Sequence, residues 1–400
     1  MKSPGKRVEH EIKPIGPLDS PDVIRSIGQL LGPPLIPGNL VTSYHNGDEI
    51  FPAMLGAIEA AEKSITFETF IYWSGEVGNL FAKHLSARAL AGVRVHVLLD
   101  WIGSKSFEES SLEEMKKAGV QIRRYRPLRW YNVSRLNNRT HRKILVLDGV
   151  IGFTGGVGIA DKWLGKAQDI DHWRDSHFKI TGPVVGQLQA AFMDNWNATH
   201  PEVLHGTDYF PELKPTGEVL AQVFKSSPEE GSGSVRLMYL YSIAHAQKSI
   251  RIASAYFVPD THVRKILIDA AKKGVSIEVI VPGRKIDTPL TRRASRAIWG
   301  EMLQAGIKIL EYEVTMFHCK YMVVDELWVS VGSTNMDNRS FRLNDECNLN
   351  AIDEKWARHM VEIFAQDKRK AREVTYEMWN QRPLSEKVIE QAARIMRSQV

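Results

Sequence analysis

The chain has 400 residues, of which 43% are hydrophobic and 25% charged, a composition that is ordinary for a globular protein and argues against disorder. A chain of this length can bury large cores, and it usually forms two domains or one large pseudo-symmetric unit. The 52 lysine and arginine residues exceed the 47 acidic residues by a net charge of +5. This excess suits an anionic partner such as phosphates, a lipid surface or nucleic acid, without choosing among them.

The cysteine count argues against a disulfide-stabilised protein, and the hydropathy argues against a membrane-spanning one. Cys319 and Cys347 are the two cysteines of the chain, so a disulfide framework is excluded and a reducing compartment fits. No apolar run approaches the roughly 18–20 residues that span a bilayer. The amino terminus shows no hydrophobic signal core. We therefore expect a soluble or peripherally attached protein.

The first 38 residues hold seven prolines and are expected to form an arm over the surface. Within this arm, "VIRSIGQLLG" predicts one short amphipathic helix. After it, helical and strand-like segments alternate. Helical spacing over 48–64 is followed by a strand at 65–73, and the same pair recurs at 77–92 and 93–101. This alternation predicts an α/β fold, with a mixed sheet flanked by helices.

The second half of the chain repeats the order of the first. Three pairs of segments match in sequence order: "IEAAEKSITFETFIYWSG" with "IAHAQKSIRIASAYFVPD", "RALAGVRVHVLLDW" with "AAKKGVSIEVIVPG", and "MKKAGVQIRRY" with "MLQAGIKILEY". The sequence therefore predicts two tandem pseudo-symmetric domains, at 39–200 and 235–365. A linker rich in turn-forming residues and the entry to the second domain are expected at 201–234, and an amphipathic helical segment at 366–400.

Each predicted domain contains the pattern H-x-K-x-x-x-x-D. The two copies lie 177 residues apart and supply equivalent side chains: His141, Lys143 and Asp148 from "HRKILVLDG", and His318, Lys320 and Asp325 from "HCKYMVVDE". A single copy in a long chain is weak evidence. Two copies at equivalent places in a duplicated domain are hard to obtain by chance.

Strand periodicity separates the members of each motif. Alternate side chains of a strand share a face, so the histidine and lysine of each copy point the same way, and Cys319 points to the opposite side. The aspartates follow the histidines by seven positions and have the other parity. Asp148 and Asp325 are therefore predicted to cap the turn or bind backbone rather than to transfer protons.

A duplicated domain can bring equivalent strands together across a pseudo-twofold axis, which would place two imidazoles and two ammonium groups around one concavity. Neighbouring ammonium groups repel each other unless an anion lies between them, and a phosphodiester supplies that charge. One imidazole would attack phosphorus while the other protonates the departing alcohol. An acceptor hydroxyl activated by the second imidazole would then displace the phosphoryl group. This scheme uses no metal ion and no cofactor.

These motifs resemble those of the phospholipase D superfamily, which carries H-x-K-x-x-x-x-D twice per active site. The stretches "NNRTHRKILVLDG", "HWRDSHFKITGP" and "VGSTNMDNRSFRLNDE" are similar in particular to the bacterial cardiolipin synthase family, and the resemblance runs from about residue 40 to the carboxyl terminus. It implies transfer of a phosphatidyl group through a phosphohistidine. Phosphatidylglycerol would be both donor and acceptor, with cardiolipin and glycerol as products.

The resemblance also implies roles for individual residues. His141 is the expected nucleophile and His318 the acid/base, although the symmetry permits the reverse. Asp175 and Glu346 match the acidic residue that the family places downstream of each motif, bonded to the histidine so that one tautomer is held.

One departure from the family pattern concerns phosphate binding. The family usually continues with G-S-x-N, whose polar side chains help to hold the phosphate. The second copy retains this pattern, so Ser333 and Asn335 are expected to contact phosphate. The first copy reads "GGVG" at 155–158, where Gly156 and Gly158 replace the serine and asparagine. Phosphate contacts are therefore expected to be unequal, with Ser333 and Asn335 of the second copy contributing what Gly156 and Gly158 of the first cannot.

Two segments bear on the partner. Residues 123–139 hold six arginines, with Trp130 and Tyr131 among them, and are interpreted as a basic lip for anionic headgroups, with a nucleic-acid groove or a solvated loop as alternatives. Asn137 and Arg139 in this segment are candidates for headgroup contact. At the carboxyl terminus, one helical stripe is predicted either to lie at a membrane surface or to pack onto the protein: Leu384, Val388, Ala392 and Ile395.

Three functional hypotheses follow. The favoured one is a phosphatidyltransferase that makes cardiolipin from anionic phospholipid, peripheral to the cytoplasmic face of a bacterial inner membrane. The second is a phospholipase D-type phosphodiesterase that uses water as acceptor, acting on phospholipid or, less expected, on nucleic acid. The third is an inactive phospholipid-binding scaffold, motivated by the missing serine and asparagine. One chain is expected to complete the site by itself.

Overall fold

A computed structural model of the chain describes residues 12–127, 138–199, 201–227 and 234–395. Within these ranges the strands form one 15-stranded sheet. The strands of the first half are β1 (Ile36–His45), β2 (Ser64–Thr69), β3 (Arg94–Asp100), β4 (Gln121–Tyr125), β5 (Ile144–Leu147), β6 (Ile151–Gly155) and β7 (Ser176–Thr181). Those of the second half are β8 (Val219–Ser226), β9 (Ser249–Ser254), β10 (Ser276–Pro282), β11 (Lys308–Tyr312), β12 (Lys320–Val324), β13 (Trp328–Gly332), β14 (Glu346–Ile352) and β15 (Ala371–Val374).

The order of the strands reads the same from both ends, apart from the extra edge strand β15. It runs β15-β11-β10-β9-β12-β13-β14-β8-β1-β7-β6-β5-β2-β3-β4. β1 and β8 meet in antiparallel fashion at the centre, with Ile36 opposite Ala221. In the first half β3 pairs in parallel with β2 and β4, and in the second half β10 pairs in parallel with β9 and β11. The next strand toward the centre pairs in antiparallel fashion, β5 with β2 and β12 with β9. The predicted duplicated α/β fold with mixed sheets is confirmed, and its pseudo-twofold axis passes between β1 and β8.

Helices cover both faces of the sheet. Those of the first half are α1 (Pro21–Leu31), α2 (Gly47–Ala60), α3 (Glu76–Leu90), α4 (Glu109–Lys117) and α5 (Val185–Asn197). Those of the second half are α6 (Ser234–Ala244), α7 (Thr261–Lys272), α8 (Pro289–Arg296), α9 (Gly300–Gln304), α10 (Asn338–Arg342), α11 (Glu354–Lys368), α12 (Tyr376–Asn380) and α13 (Leu384–Ile395). Side chains of α2, α3 and α4 form one core, and those of α6, α7 and α9 form its counterpart. A third core joins both halves under α5 and α11 and contains Cys319 and Cys347.

The helix predicted within the proline-rich arm is present as α1. The Ser20 hydroxyl accepts a hydrogen bond from the Val23 amide at 3.4 Å, and Pro21 occupies the first turn, where its missing N–H is not needed. Val23 and Ile27 are buried in the core of the second half. The arm is therefore fastened to the domain that follows later in the chain.

Two of the predicted segments contain strands that the sequence did not indicate. The segment 201–234, expected to be the linker and the entry to the second domain, contains β8 (Val219–Ser226) in the middle of the sheet. A central strand buried on both faces lacks polar–apolar alternation, so turn-forming residues on either side dominated the interpretation. In the segment 366–400, β15 at Ala371–Val374 precedes the expected helix and pairs with β11 at the sheet edge.

The two halves exchange backbone hydrogen bonds at both motifs. The amide of His141 donates to the carbonyl of Asp345 at 2.9 Å, and the Asp345 amide donates to the carbonyl of Arg139 at 2.9 Å. The second motif behaves alike, since the His318 amide donates to the carbonyl of Arg174 at 2.8 Å. The segment that leads into each motif therefore pairs with the residues that precede β14 or β7 of the other half. This exchange brings both motifs to one place.

Within the described ranges, no helix combines the length and the apolar character needed to cross a bilayer.

Candidate active site

His141, Lys143 and His318 line one cavity of about 180 Å³, and Lys320 lies beside His318, with its Nζ 3.1 Å from the Nε2 of that ring. Aromatic rings form much of its wall: Phe70, Trp73, Trp163, Trp173 and Tyr256. The His318 ring lies with its centroid 5.3 Å from that of Trp163, and the His141 ring lies 5.5 Å from that of Phe70, both edge to face. The two imidazoles therefore face a shared, largely apolar space, as the duplicated motif predicts.

Each lysine folds back onto the histidine of its own motif. The Nζ of Lys143 donates to the carbonyl of His141 at 2.8 Å, and the Nζ of Lys320 donates to the carbonyl of His318 at 2.7 Å. Burial, followed by the neighbouring charge of Lys320, lowers the pKa of Lys143 to about 7. Burial also lowers the pKa of Lys320. An anion between the two lysines would favour the charged form of both, so the cavity is suited to a phosphate group.

The carboxylates that hold the two histidines are crossed between the halves. The Nδ1 of His141 lies 3.0 Å from the Oε2 of Glu346, which follows the second motif. The Nδ1 of His318 lies 2.7 Å from the Oδ2 of Asp175, which follows the first motif. All four side chains are buried. Since Nδ1–H donates to the carboxylate, Nε2 is left as the basic nitrogen of each ring.

The two histidine–carboxylate pairs differ electrostatically. Burial, followed by the charges of Lys143 and Lys320, holds the pKa of His141 well below its usual value. Burial raises the pKa of Glu346 to about 7, although the charge of Lys143 opposes that rise.

The second pair behaves differently. Burial alone would raise the pKa of Asp175, but His318 and Lys320 together outweigh it and keep that pKa below its usual value. Burial and Lys320 lower the pKa of His318, whereas Asp175 opposes this fall. Asp175 is therefore the more firmly ionised of the two carboxylates.

Ser333 does not contact the cavity, contrary to the expectation of a phosphate contact. It is fully buried; its hydroxyl donates to the Oε2 of Glu346 at 2.5 Å and accepts from the Cys347 amide at 3.0 Å. Its position behind the carboxylate makes it a support for Glu346. Asn335, two residues later, does line the cavity, and its buried Oδ1 has no hydrogen-bond partner in the described part of the chain.

The first half supports its carboxylate with a different donor. The indole Nε1 of Trp163 donates to the Oδ2 of Asp175 at 2.9 Å. A Cβ at Gly156 would lie 2.2 Å from the Oδ1 of Asp175, and a Cβ at Gly158 would lie 2.7 Å from the Cβ of Ile71. The "GGVG" sequence is therefore required by packing, because the glycines leave room for a carboxylate that a tryptophan holds. Sequence reasoning missed Trp163, which has no counterpart in the second copy of the motif.

Restoring the family serine at position 156 is expected to damage the site. In Gly156→Ser the new Cβ would overlap the Asp175 carboxylate, so Asp175 must move away from His318, and turnover should fall at least about tenfold. The measurement is the rate of phosphatidyl transfer, with thermal unfolding as a check on folding. Gly56→Ser is the matched control, since a Cβ at Gly56 meets nothing within 4 Å. Full activity in Gly156→Ser would contradict the packing argument.

The motif aspartates bind backbone, as strand parity predicts. The Asp148 carboxylate accepts from the amides of Glu62, Lys63 and Ser64, at 2.7 Å for Lys63. The Asp325 carboxylate accepts from the equivalent amides in the second half: Gln247, Lys248 and Ser249. Both aspartates have positive φ, at 52° and 55°, a conformation that Asp tolerates better than most residues. They fasten the β5–β6 and β12–β13 hairpins to the strands beside them.

Arg139 and Asn137 were the headgroup candidates. Arg139 lines the cavity, with its Nε 3.4 Å from the Oδ2 of Asp100. Asn137 lies outside the described residues, as do Trp130 and Tyr131 of the basic segment. Sequence reasoning missed Arg339, a second arginine of the cavity wall, which follows Asn335 by four residues.

No group of three or more histidine, cysteine or carboxylate side chains in the described ranges is arranged to hold a metal ion.

Two histidines that share a cavity, each with the lysine of its own motif bonded to its carbonyl, define an enzyme of the phospholipase D superfamily. A sequence profile described as "Cardiolipin synthase, PLD-like domain" matches residues 54–196 and 239–368. The cardiolipin synthase of Geobacillus kaustophilus is 36% identical over 354 residues, which cover 88% of this chain and 70% of that protein. Cardiolipin synthase A of Pseudomonas putida is 34% identical, covering 88% of this chain and 74% of that protein. The chain therefore belongs to the cardiolipin synthase family.

A solved structure supports the fold. The phosphatidylserine synthase of Haemophilus influenzae superposes with a TM-score of 0.72, covering 94% of this chain and 99% of that chain at 14% sequence identity. The predicted family, the enzymatic character and the phospholipid class of the substrate are confirmed by these comparisons.

Proposed function

We propose that the protein transfers a phosphatidyl group from one phosphatidylglycerol to the hydroxyl of another, giving cardiolipin and glycerol. The observation that carries this proposal is the arrangement of the two imidazoles. Each is held at Nδ1 by a buried carboxylate of the opposite half, and both line one cavity with Lys143, while Lys320 lies beside His318. Such a site presents two basic nitrogens to one phosphorus atom.

The first step breaks the bond between phosphorus and the glycerol oxygen. The donor phosphate occupies the space beside Lys143 and Lys320, whose ammonium groups bind its non-bridging oxygens. The Nε2 of His141 attacks phosphorus and forms the P–N bond. His318 gives its proton to the departing glycerol oxygen, so glycerol leaves as a neutral alcohol.

The second step breaks the P–N bond. The hydroxyl of a second phosphatidylglycerol enters where glycerol has left and gives its proton to the now neutral His318. Its oxygen attacks phosphorus and forms the new ester bond. His141 departs as a neutral imidazole, and His318 again carries the proton that it held at the start.

The roles of the two histidines follow from the carboxylates behind them. The firmly ionised Asp175 opposes the fall that burial and Lys320 cause in the pKa of His318, and so favours the protonated form that a general acid requires. The pKa of Glu346, raised to about 7 by burial, offers less negative charge to His141, whose own pKa burial lowers well below its usual value. His141 therefore remains the free base that can attack phosphorus.

Further contacts to the donor are assigned to residues of the cavity wall. Asn335, Arg139 and Arg339 line the cavity and carry polar groups that suit phosphate or headgroup oxygens. The aromatic rings opposite them exclude water, which favours a lipid hydroxyl over hydrolysis. Trp163 gives Asp175 a hydrogen bond like the one that Ser333 gives Glu346, so the missing serine of the first copy does not argue for an inactive scaffold.

We also propose a peripheral position at the cytoplasmic face of a bacterial inner membrane. The lipid substrate supports the membrane contact. The unpaired Cys319 and Cys347 support a reducing compartment.

The experiment that tests the function follows all products from vesicles of phosphatidylglycerol. We expect cardiolipin and glycerol in equal amounts from the purified protein, and neither from His141→Ala. Phosphatidic acid without cardiolipin would identify a hydrolase instead. Cleavage of an oligonucleotide without lipid turnover would identify a nuclease, and silence in every assay would leave the binding scaffold.

A further inference from the structure

Helix α13 turns Glu390 and the small Ala393 toward the protein and presents its larger apolar side chains to solvent. Leu384 is 77% exposed, Val388 67% and Ile389 45%. On the buried side of the same helix, Glu390 is only 3% exposed. A surface helix ordinarily turns its apolar stripe toward the core. The orientation of α13 is therefore the reverse of the usual one.

Ion pairs fix this orientation. The Oε1 of Glu390 lies 3.0 Å from the Nε of Arg296 in α8, and its Oε2 lies 2.6 Å from the Nε of Arg382. All three side chains are buried. Burying such a charge without its partner is costly, so the helix cannot rotate its apolar stripe inward while these contacts persist. The exposed stripe is a fixed feature of the fold.

A basic cavity of about 490 Å³ adjoins the exposed stripe, and Ile389 lines it. Its wall contains five arginines and two glutamates: Arg284, Arg292, Arg293, Arg296, Arg372, Glu386 and Glu390. Three of them, Arg292, Arg296 and Arg372, form ion pairs with the buried Glu311.

Arg284 and Arg293 are exposed, and neither has a carboxylate within 4.0 Å among the described residues. Met378, 46% exposed, completes the apolar side of the cavity. Unneutralised guanidinium groups and exposed apolar side chains therefore share one surface.

The basic cavity and the active site lie on two sides of one loop. This loop, residues 283–288, joins β10 to α8. Asp287 lines the active-site cavity, and its Oδ2 accepts a hydrogen bond from the Tyr256 hydroxyl at 2.7 Å. Arg284 and Ile286 of the same loop line the basic cavity. A surface that binds this loop from outside therefore lies beside the catalytic cavity.

We propose that this surface docks the protein on an anionic phospholipid membrane. The docking surface consists of Met378, Leu384, Val388 and Ile389 together with Arg284 and Arg293. The apolar side chains enter the boundary between headgroups and acyl chains, and the arginines bind lipid phosphates in the same plane. The charge of the arginines selects an anionic membrane. The proposal rests on the proposed function in one respect, since docking here brings lipid substrate to the loop that walls the active site.

Vesicle flotation tests the docking surface. The probes are phosphatidylcholine vesicles with and without phosphatidylglycerol, and the protein is the full chain. Leu384→Ser with Val388→Ser and Ile389→Ser is expected to lower the partition coefficient at least about tenfold. Arg284→Gln with Arg293→Gln is expected to lower it on phosphatidylglycerol vesicles alone, and high salt should remove the difference between this variant and the wild type.

Matched controls remove equivalent groups elsewhere. Leu90→Ser with Val203→Ser removes two apolar side chains that are 74% and 57% exposed, and Lys83→Gln with Lys117→Gln removes two exposed charges. Both controls should bind vesicles like the wild type. Turnover of short-chain phosphatidylglycerol below its micellar concentration should be unchanged in every variant.

Unchanged vesicle binding by the docking variants would overturn the proposal. So would a dimer in the wild type that the serine variant converts to a monomer without loss of vesicle binding, because the stripe would then join two copies of the chain. Failure of the proposed function is visible separately, as absence of turnover of the short-chain lipid by the wild type.

Discussion

Replacing His141 with alanine is expected to abolish the covalent phosphoryl-enzyme that acid quenching traps in the wild type. Turnover should fall by about 10⁴-fold or more, because no other basic nitrogen in the cavity has the same position relative to phosphorus. The measurement uses radiolabelled phosphatidyl donor, rapid quenching and detection of acid-labile phosphate on the protein.

Repeating the experiment with a donor that has a different leaving group distinguishes the roles of the two histidines. His318→Ala should lose turnover of phosphatidylglycerol to a similar degree, since glycerol must be protonated as it departs. With a p-nitrophenyl phosphodiester, whose leaving group departs as an anion, His318→Ala should still form the phosphoryl-enzyme at a substantial rate. His141→Ala should form none with either donor. Loss of the intermediate in His318→Ala and its retention in His141→Ala would reverse the assignment.

Replacing each of the two carboxylates with an amide is expected to impair the histidine of the opposite half. Glu346→Gln should lower turnover by about 10²–10⁴-fold with either donor, because Glu346 holds the nucleophile His141. Asp175→Asn should lower turnover of phosphatidylglycerol by a similar factor. Its effect should largely disappear with the p-nitrophenyl donor, because Asp175 serves the acid His318.

This prediction needs a measurement of folding and a control variant. Thermal unfolding of each variant reports whether the buried amide is tolerated, and Glu362→Gln on the exposed side of α11 is the control for loss of a carboxylate. If Asp175→Asn instead lost the phosphoryl-enzyme with both donors while Glu346→Gln responded to the leaving group, each carboxylate would be acting on the histidine of its own half.

The motifs themselves were predictable from the sequence because their information is local. The spacing of His141 and Lys143 fixes their common side, and the parity of Asp148 assigns it to the backbone. Both conclusions depend on strand periodicity within a few residues. The duplication was equally visible, since matched segments recur in one order. A resemblance carried by these residues then indicated the family.

The sequence indicated Asp175 and Glu346 as partners of histidines, but not that each holds the histidine of the other half. That pairing depends on the exchange of backbone hydrogen bonds between the halves, and no local pattern records it. The same holds for Ser333, which resembles a phosphate ligand by its motif and lies behind Glu346 in space.

By itself, then, the sequence determined the repeated α/β architecture, the two motifs and the class of chemistry, because these follow from periodicity and residue type. Only the tertiary structure decided which carboxylate serves which imidazole, why Gly156 stands where serine is usual, and which way α13 faces. Those features depend on the distances between side chains far apart in the chain. Such distances are set by the packing of the two halves rather than by any one segment.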